Sequence, residues 1–158
     1  MPTDEEDRFG FDDTSDVVGS TVGRLIPQVV ARRAVTVTVD TDREVYEVGD
    51  PVEITVGFHN RLPVPVSVTT PTKRLWGWSV DGMVGASDER RYMSDTPAVI
   101  DFRGGERKRV VHRWNGRFKR TDGRTRWVDP SPGEYELAAF LALDGPDRPE
   151  DRTTIRIG

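Results

Sequence analysis

The stretch YEVGDPVEITVGFHNRLPVPVSV, residues 46–68, decides the fold class. Within it Val52, Ile54 and Val56 alternate with polar residues, which is the two-residue period of a half-buried antiparallel strand. A Gly-Asp-Pro turn precedes this strand, and Asn60 opens the turn that follows it. The stretch therefore predicts two strands joined by a short turn, each with one face in a core.

The same period recurs along the rest of the chain, separated by Gly, Pro, Asn and Asp turn signals. Strands are predicted around residues 35–39, 52–59, 64–68, 76–80, 98–102, 107–114, 134–143 and 152–157. No convincing helix lies between them, which favours a sandwich over a fold with parallel strands. The sequence thus predicts an all-β protein, an immunoglobulin-like antiparallel β-sandwich of about 7–9 strands that occupies residues 34–158.

Composition limits the size of the core, the kinds of site and the cellular location that can be expected. The 158 residues include four Trp, six Phe and three Tyr, which is enough bulk for one core. There is no Cys, so disulfides, thiolate chemistry and Cys-based zinc sites are excluded. Arg outnumbers Lys and Asp outnumbers Glu, a halophile-like bias. The sequence shows neither a secretory signal nor an apolar run long enough to cross a membrane, and a cytoplasmic location is expected.

The first 33 residues are predicted to be a separate acidic arm. Residues 1–16 carry seven acids against one arginine, a net charge of −6, and are expected to be flexible because they contain little to bury. Apolar residues at helical spacing predict a short helix within residues 16–30, although Gly19, Gly23 and Pro27 weaken it.

Three stretches, taken together, resemble a known family. They are residues 46–68; LWGWSVDG at 75–82 followed by FRGGERKRVVHRWNG at 102–116; and PGEYELAAFLAL at 132–143. Their turns and core aromatic residues are similar to those of the intracellular proteinase inhibitor family named after the Bacillus subtilis inhibitor. The resemblance implies an immunoglobulin-like domain and a serine protease as partner.

Motifs of catalysis are absent from the sequence. It contains no nucleophile elbow, phosphate-binding loop or dinucleotide fingerprint, and its carboxylates cannot be paired by spacing alone. The two histidines, His59 and His112, are far apart in sequence and have no third ligand nearby, so no metal site and no cofactor are predicted. The expected activity is therefore binding without catalysis.

One segment has an unusual charge. Residues 103–126 carry ten basic and two acidic side chains, a net of +8, with aromatic residues interleaved. Such a basic hairpin could bind an acidic protein or the phosphates of a nucleic acid. Its arginines could also pair with acids of neighbouring strands and only keep the surface soluble. A further hypothesis is that residues 1–16 lie over this segment and compete with a partner.

The leading prediction is a protein-binding module, with an intracellular serine proteinase inhibitor as its most specific form. The alternatives are nucleic-acid or polyanion binding through residues 103–126, and an assembly domain without inhibitory activity. Binding is predicted on the two long connections, residues 81–97 and 115–133. The candidate contact residues are Met83, Tyr92, Met93, Arg117, Phe118, Lys119, Arg120, Arg124, Arg126 and Trp127.

Overall fold

The computed structural model describes residues 26–89 and 95–158. This part of the chain contains a helix, α1 (Gln28–Ala34), and twelve strands. The strands are β1 (Val35–Thr41), β2 (Val45–Tyr46), β3 (Val52–Asn60), β4 (Val66–Thr70), β5 (Trp76–Val80), β6 (Met83–Val84), β7 (Ala98–Phe102), β8 (Arg107–Trp114), β9 (Phe118–Arg120), β10 (Arg126–Val128), β11 (Gly133–Leu141) and β12 (Glu150–Ile157).

The strands form the two layers of an immunoglobulin-like sandwich. One layer has the order β1-β3-β8. In the chain β4 comes after β3 and β7 comes before β8, so the antiparallel pair β4-β7 continues the antiparallel pair β3-β8. The other layer has the order β2-β12-β11-β5-β6, in which only β2 and β12 pair in parallel. The pair β9-β10 is a separate hairpin. The predicted all-β, immunoglobulin-like sandwich is confirmed.

Eight of the described strands have five residues or more, and each overlaps one of the eight predicted segments, although β4 begins two residues after the predicted start at 64. The other four, β2, β6, β9 and β10, are two or three residues long. Their sequences are too short to show a period of two, so alternation could not reveal them.

The core lies between the inner faces of the two layers. Val52, Ile54 and Val56 of β3 are fully buried there, as their alternation predicted. From the other layer, Leu137 and Ile155 are buried against them. Burying such aliphatic side chains contributes about 1.5–3 kcal/mol each before conformational entropy is subtracted. The alternation that decides the fold class is thus also the source of its main stabilising interaction.

Asn60 holds the corner where β3 turns into β4. Its side chain is fully buried, its Nδ2 donates to the carbonyl oxygens of Val64 and Arg103, each at 2.9 Å, and its Oδ1 accepts from the N–H of Leu62 at 3.0 Å. The Asn60 side chain therefore forms hydrogen bonds with backbone groups of both segments that bend at this corner, the one after β3 and the one before β8. The start of β8 is fixed to this corner, because the Asn60 N–H donates to the Glu106 carbonyl oxygen.

The helix α1 is part of the sandwich domain. Ala31 and Ala34 are buried in the core, and the Gln28 side chain donates to the Ser67 carbonyl oxygen and accepts from the Thr69 N–H. The Gln28 amide therefore pairs with β4 much as a strand backbone would. The domain extends upstream of the predicted boundary at residue 34, and the helix begins after Pro27 instead of spanning residues 16–30. The part of that predicted helix before residue 26 lies outside the described residues.

No helix in the described ranges is long and apolar enough to cross a membrane.

A buried tyrosine anchors the turn between β1 and β2. The Tyr46 hydroxyl donates to Asp42 Oδ1 at 2.6 Å and accepts from the Arg43 N–H, and Asp42 Oδ1 also accepts from the Glu53 N–H. The hydrogen bond from Tyr46 is the main cause that lowers the pKa of Asp42 below its ordinary value of 3.8, and the bond from Glu53 adds to it. Burial is the main cause that raises the pKa of Tyr46.

The lowered pKa of Asp42 makes stability depend on pH. Its ionised form is favoured in the folded state, so its contribution is present above the ordinary value and is lost as pH falls through the lower folded value. We expect the free energy of unfolding in urea to fall between about pH 5 and pH 2 more steeply for the wild type than for Tyr46→Phe. Equal slopes for the two proteins would show that the Tyr46–Asp42 bond does not set this dependence.

Candidate interaction surface

The basic side chains predicted as contacts lie on or beside the hairpin of β9 and β10, and most of them are paired with acids of the same chain. Lys119 Nζ lies 2.7 Å from Glu89, Arg117 lies 3.0 Å from Asp129, Arg126 lies 3.2 Å from Asp122, and Arg120 lies 4.0 Å from Asp88. Of the predicted basic contacts, Arg124 alone forms no ion pair within the part of the chain that the structure describes. Pairing of this kind was the alternative that the charge pattern left open.

The hairpin is also fastened to the other long connection. The Lys119 N–H donates to the Ala86 carbonyl oxygen, and the Asp88 N–H donates to that of Lys119. The Asp88 side chain in turn accepts from the N–H and the hydroxyl of Thr121. The two connections that were predicted as separate recognition loops therefore form one joined structure at this end of the sandwich.

The predicted apolar contacts are divided between core and surface. Phe118 is buried, with its ring centroid 5.6 Å from that of Trp114 and 5.8 Å from that of Tyr135, so the prediction that it contacts a partner is wrong. Met83 is partly buried and packs against the core. Trp127 is 53% exposed and remains available to a partner. Tyr92 and Met93 lie outside the described residues.

A row of unpaired positive charges lies on β8. The odd-numbered side chains of this strand point outward. They form what we call the β8 edge row: Arg107, Arg109, Val111 and Arg113. All four are exposed, Val111 to 53%. Within the described residues none of the three arginines forms an ion pair or a side-chain hydrogen bond, although Glu53 is the cross-strand neighbour of Arg113. Alternate residues of a strand are about 6.8 Å apart, so the row is a regular series of charges.

The same four residues direct their backbone groups away from the sheet. In an antiparallel ladder, alternate residues exchange both backbone hydrogen bonds with the partner strand. The bond from the Asn60 N–H to the Glu106 carbonyl oxygen shows that even-numbered residues of β8 bond to β3. The row therefore has free N–H and C=O groups, because β8 is an edge strand and no described residue pairs with its outer side.

Aromatic packing fixes the inner face of β8. The His112 ring lies 5.0 Å from that of Trp78 and 6.4 Å from that of Trp76, while the Trp114 ring lies 6.1 Å from that of Trp78. Trp114 is buried, and Trp76 and Trp78 are partly buried against the core. These contacts join the edge strand to β5 of the other layer, so the outer row is held on a rigid strand.

The row belongs to the basic segment 103–126, but the charge pattern alone does not distinguish it as a contact surface. The alternation of Val110, His112 and Trp114 indicates which side chains of β8 face inward, and hence that the arginines face outward. It does not indicate that β8 is an edge strand, nor that the cations of the hairpin are paired. The pairing order decides the first, and contacts between distant residues decide the second.

A second basic surface is less available. A shallow cleft of about 390 Å3 lies beside the start of β1 and includes Arg32, Arg33 and Arg61. Arg32 donates to the Asp144 carbonyl oxygen and pairs with Asp147 at 3.3 Å, and Arg61 donates to the Arg33 carbonyl oxygen at 2.7 Å. Two of its three guanidinium groups therefore already have partners. Among the described residues, no group of three or more histidines and acids is placed to hold a metal ion.

Solved structures with a similar arrangement of strands differ widely in what they are. A β-glucosidase from Listeria innocua, in complex with isofagomine, aligns with a TM-score of 0.49 and 9% identity over 78% of this chain, which spans 16% of the enzyme. The CARDB domain of PF1109 from Pyrococcus furiosus aligns with a TM-score of 0.48 and 13% identity over 78% of this chain and 94% of the domain. The alkylpurine DNA glycosylase AlkC of Pseudomonas fluorescens, bound to DNA containing an abasic site analog, aligns with a TM-score of 0.47 and 9% identity over 79% of this chain and 30% of the enzyme.

No curated protein matches the sequence. Residues 23–158 match a sequence family that includes α1 and all twelve strands but excludes most of the acidic arm. The chain belongs to this family, a family of unknown function designated DUF7974.

Proposed function

We propose that this protein is a non-catalytic binding module whose β8 edge row receives an acidic, extended segment of a protein partner. The observation that carries the proposal is the coincidence, on the same residues, of free backbone groups and unpaired guanidinium groups. An extended peptide can add to an exposed sheet edge through main-chain hydrogen bonds, while alternate side chains supply specificity.

The chemistry of the row defines the partner. Carboxylates at every second position of an added strand would lie beside the arginines, and arginine binds carboxylates through two parallel hydrogen bonds. The exposed Val111 would contact an apolar side chain among those acids. An exposed aromatic residue, which single-stranded nucleic acid would need for stacking, is not part of the row. These features favour an acidic peptide over a nucleic acid.

Inhibition of an intracellular serine protease, which the family resemblance implies, stays a prediction. Among the apolar candidate contact residues, Phe118 and Met83 are packed in or against the core, and Tyr92 and Met93 lie outside the described residues. Titration of the purified protein against intracellular serine proteases tests this more specific form of binding.

Charge reversal on the row tests the proposed function. The probe is a capped peptide of alternating Glu and Val, with binding measured by fluorescence anisotropy at low ionic strength. We expect Arg109→Glu combined with Arg113→Glu to weaken binding at least roughly tenfold, because two carboxylate contacts become repulsive. The matched control, Arg117→Glu with Arg126→Glu, makes the same charge change on the ion-paired hairpin and should change binding much less.

Val111→Pro separates strand addition from simple charge attraction. Proline removes the N–H that an added strand would use but leaves the charge unchanged, and edge strands tolerate it. We expect it to abolish peptide binding while the far-ultraviolet spectrum and unfolding midpoint stay close to those of the wild type. Equal loss of binding in the row and hairpin variants, or tighter binding of a single-stranded oligonucleotide of equal charge, would contradict the proposal.

A further inference from the structure

The chain contains a segment that complements the β8 edge row position by position. Residues 7–13 read DRFGFDD, and its odd-numbered residues are Asp7, Phe9, Phe11 and Asp13. The row reads Arg, Arg, Val, Arg at the same spacing of two. The order Asp-Phe-Phe-Asp is symmetric, so the match holds for a strand running in either direction.

We propose that residues 7–13 bind along the outer edge of β8 as an added strand and thereby compete with the acidic partner. This inference rests on the proposed function of the β8 edge. The two aspartates lie opposite Arg107 and Arg113, where each forms a charge-assisted pair. One phenylalanine lies opposite Arg109, where its ring receives the guanidinium group, and the other contacts Val111.

The length of the intervening chain permits this contact. Twelve residues separate Asp13 from Ile26, where the described chain begins, and Ile26 packs against the core. Twelve extended residues reach roughly 40 Å. Val35, which directly follows α1, pairs with Asn60, and Asn60 bonds to Glu106 just before β8, so about two strand spacings, roughly 10 Å, separate the end of α1 from the start of the row. The eight residues of β8 span about 27 Å, which is less than the reach of the twelve residues.

Covalent connection makes a weak interaction sufficient. A segment linked to its site acts at an effective concentration in the millimolar range, so modest affinity keeps the site occupied. The charges are also opposite in sign, since residues 1–16 carry a net of −6 and the row carries three guanidinium groups that form no ion pair with a described residue. A more acidic or longer partner segment would displace the intramolecular one, which makes the arm a competitor that sets the threshold for binding.

Hydrogen exchange of the full chain, followed by NMR at low ionic strength, tests this inference. If residues 7–13 add to β8, the amides of Arg109, Val111 and Arg113 should exchange at least roughly tenfold more slowly in the wild type than in Asp7→Lys combined with Asp13→Lys. The amides of Lys108 and Val110 bond to β3 and should stay protected in every variant, which provides an internal reference.

A matched control distinguishes strand pairing from general attraction. Glu6→Lys with Asp12→Lys makes the same charge change at positions of the opposite parity, and the row amides should remain protected. Replacing Arg107 and Arg113 with Asp should remove the protection, and adding Asp7→Arg and Asp13→Arg to that variant should restore it. The acidic Glu-Val peptide should bind the Asp7→Lys, Asp13→Lys protein more tightly than the wild type.

The possible results distinguish failure of the added strand from failure of the proposed function. Unprotected row amides in the wild type, or equal loss of protection in both lysine variants, would overturn the added strand. Protection that decreases on dilution would place the segment on a second copy of the chain and overturn the intramolecular form. If either result came with peptide binding that still depends on Arg109 and Arg113, the proposed function would stand without the arm. Peptide binding that is unchanged by reversal of those arginines would refute the proposed function itself.

Discussion

Replacing Trp114 with alanine is expected to lower the free energy of unfolding by about 4 kcal/mol. The side chain is 3% exposed, and its ring contacts those of Trp78 and Phe118. Its Nε1 donates to the Arg117 carbonyl oxygen at 2.8 Å, which connects the end of β8 to the hairpin. The substitution removes the transfer free energy of the ring, leaves a cavity between the layers and leaves the Arg117 carbonyl oxygen without its donor.

Trp127→Ala is the matched control, since it deletes the same side chain from a position that is 53% exposed. Its effect should be within about 1 kcal/mol. Urea unfolding followed by far-ultraviolet circular dichroism measures both variants. If Trp114→Ala does not fold, Trp114→Phe should still lose more stability than Trp127→Ala. Similar losses at the two positions would mean that the ring contacts of Trp114 do not support the edge strand.

The second large effect is expected for Asn60→Ala, which should destabilise the protein by about 3 kcal/mol. The substitution leaves the Val64 and Arg103 carbonyl oxygens without a donor and the Leu62 N–H without an acceptor. Because Asn60 is fully buried, water cannot replace these bonds without opening the corner. The loss should therefore exceed that for an ordinary surface hydrogen bond.

Asn115→Ala provides the comparison for Asn60→Ala. Asn115 is exposed, and its Oδ1 accepts a single bond, from the Arg117 N–H at 3.0 Å. We expect its removal to cost about 1 kcal/mol or less in the same urea unfolding measurement. A loss at Asn60 that is no larger than the loss at Asn115 would show that the corner is satisfied in another way. Faster hydrogen exchange at the first residues of β8 should accompany the destabilisation, since the Asn60 N–H also bonds to the Glu106 carbonyl oxygen.

The fold was predictable because its main signal is local. Alternation in β3, with Val52, Ile54 and Val56 inward, follows from the geometry of an extended backbone and needs no knowledge of the partner strand. The Asp-Gly pair at residues 81 and 82 is likewise a local signal, in this case for a turn. Both residues have positive φ angles, of 48° and 81°, as a two-residue hairpin requires. The short strands β9 and β10 could not be predicted, because three residues are too few to show an alternating pattern.

The candidate surface could not be predicted in the same way, because it depends on contacts between residues that are far apart in the sequence. Lys119 pairs with Glu89, thirty positions away, so a segment with a net charge of +8 in sequence leaves little free charge on its hairpin. Phe118 was a candidate contact residue in the long connection 115–133, yet it is buried beside Trp114 and Tyr135. Both differences arise because the packing of one segment against another decides which neighbours a side chain meets.

The sequence by itself determined the fold class, the positions of the long strands and the outward parity of Arg107, Arg109 and Arg113 on β8. It also determined the spacing of Asp7, Phe9, Phe11 and Asp13, which gives the row its proposed intramolecular partner. Tertiary structure alone decided that β8 is an edge strand and that, within residues 26–89 and 95–158, its outward arginines have no acidic partner. The physical reason is that side-chain parity is a property of one strand, whereas an edge is a property of the order in which distant strands pair.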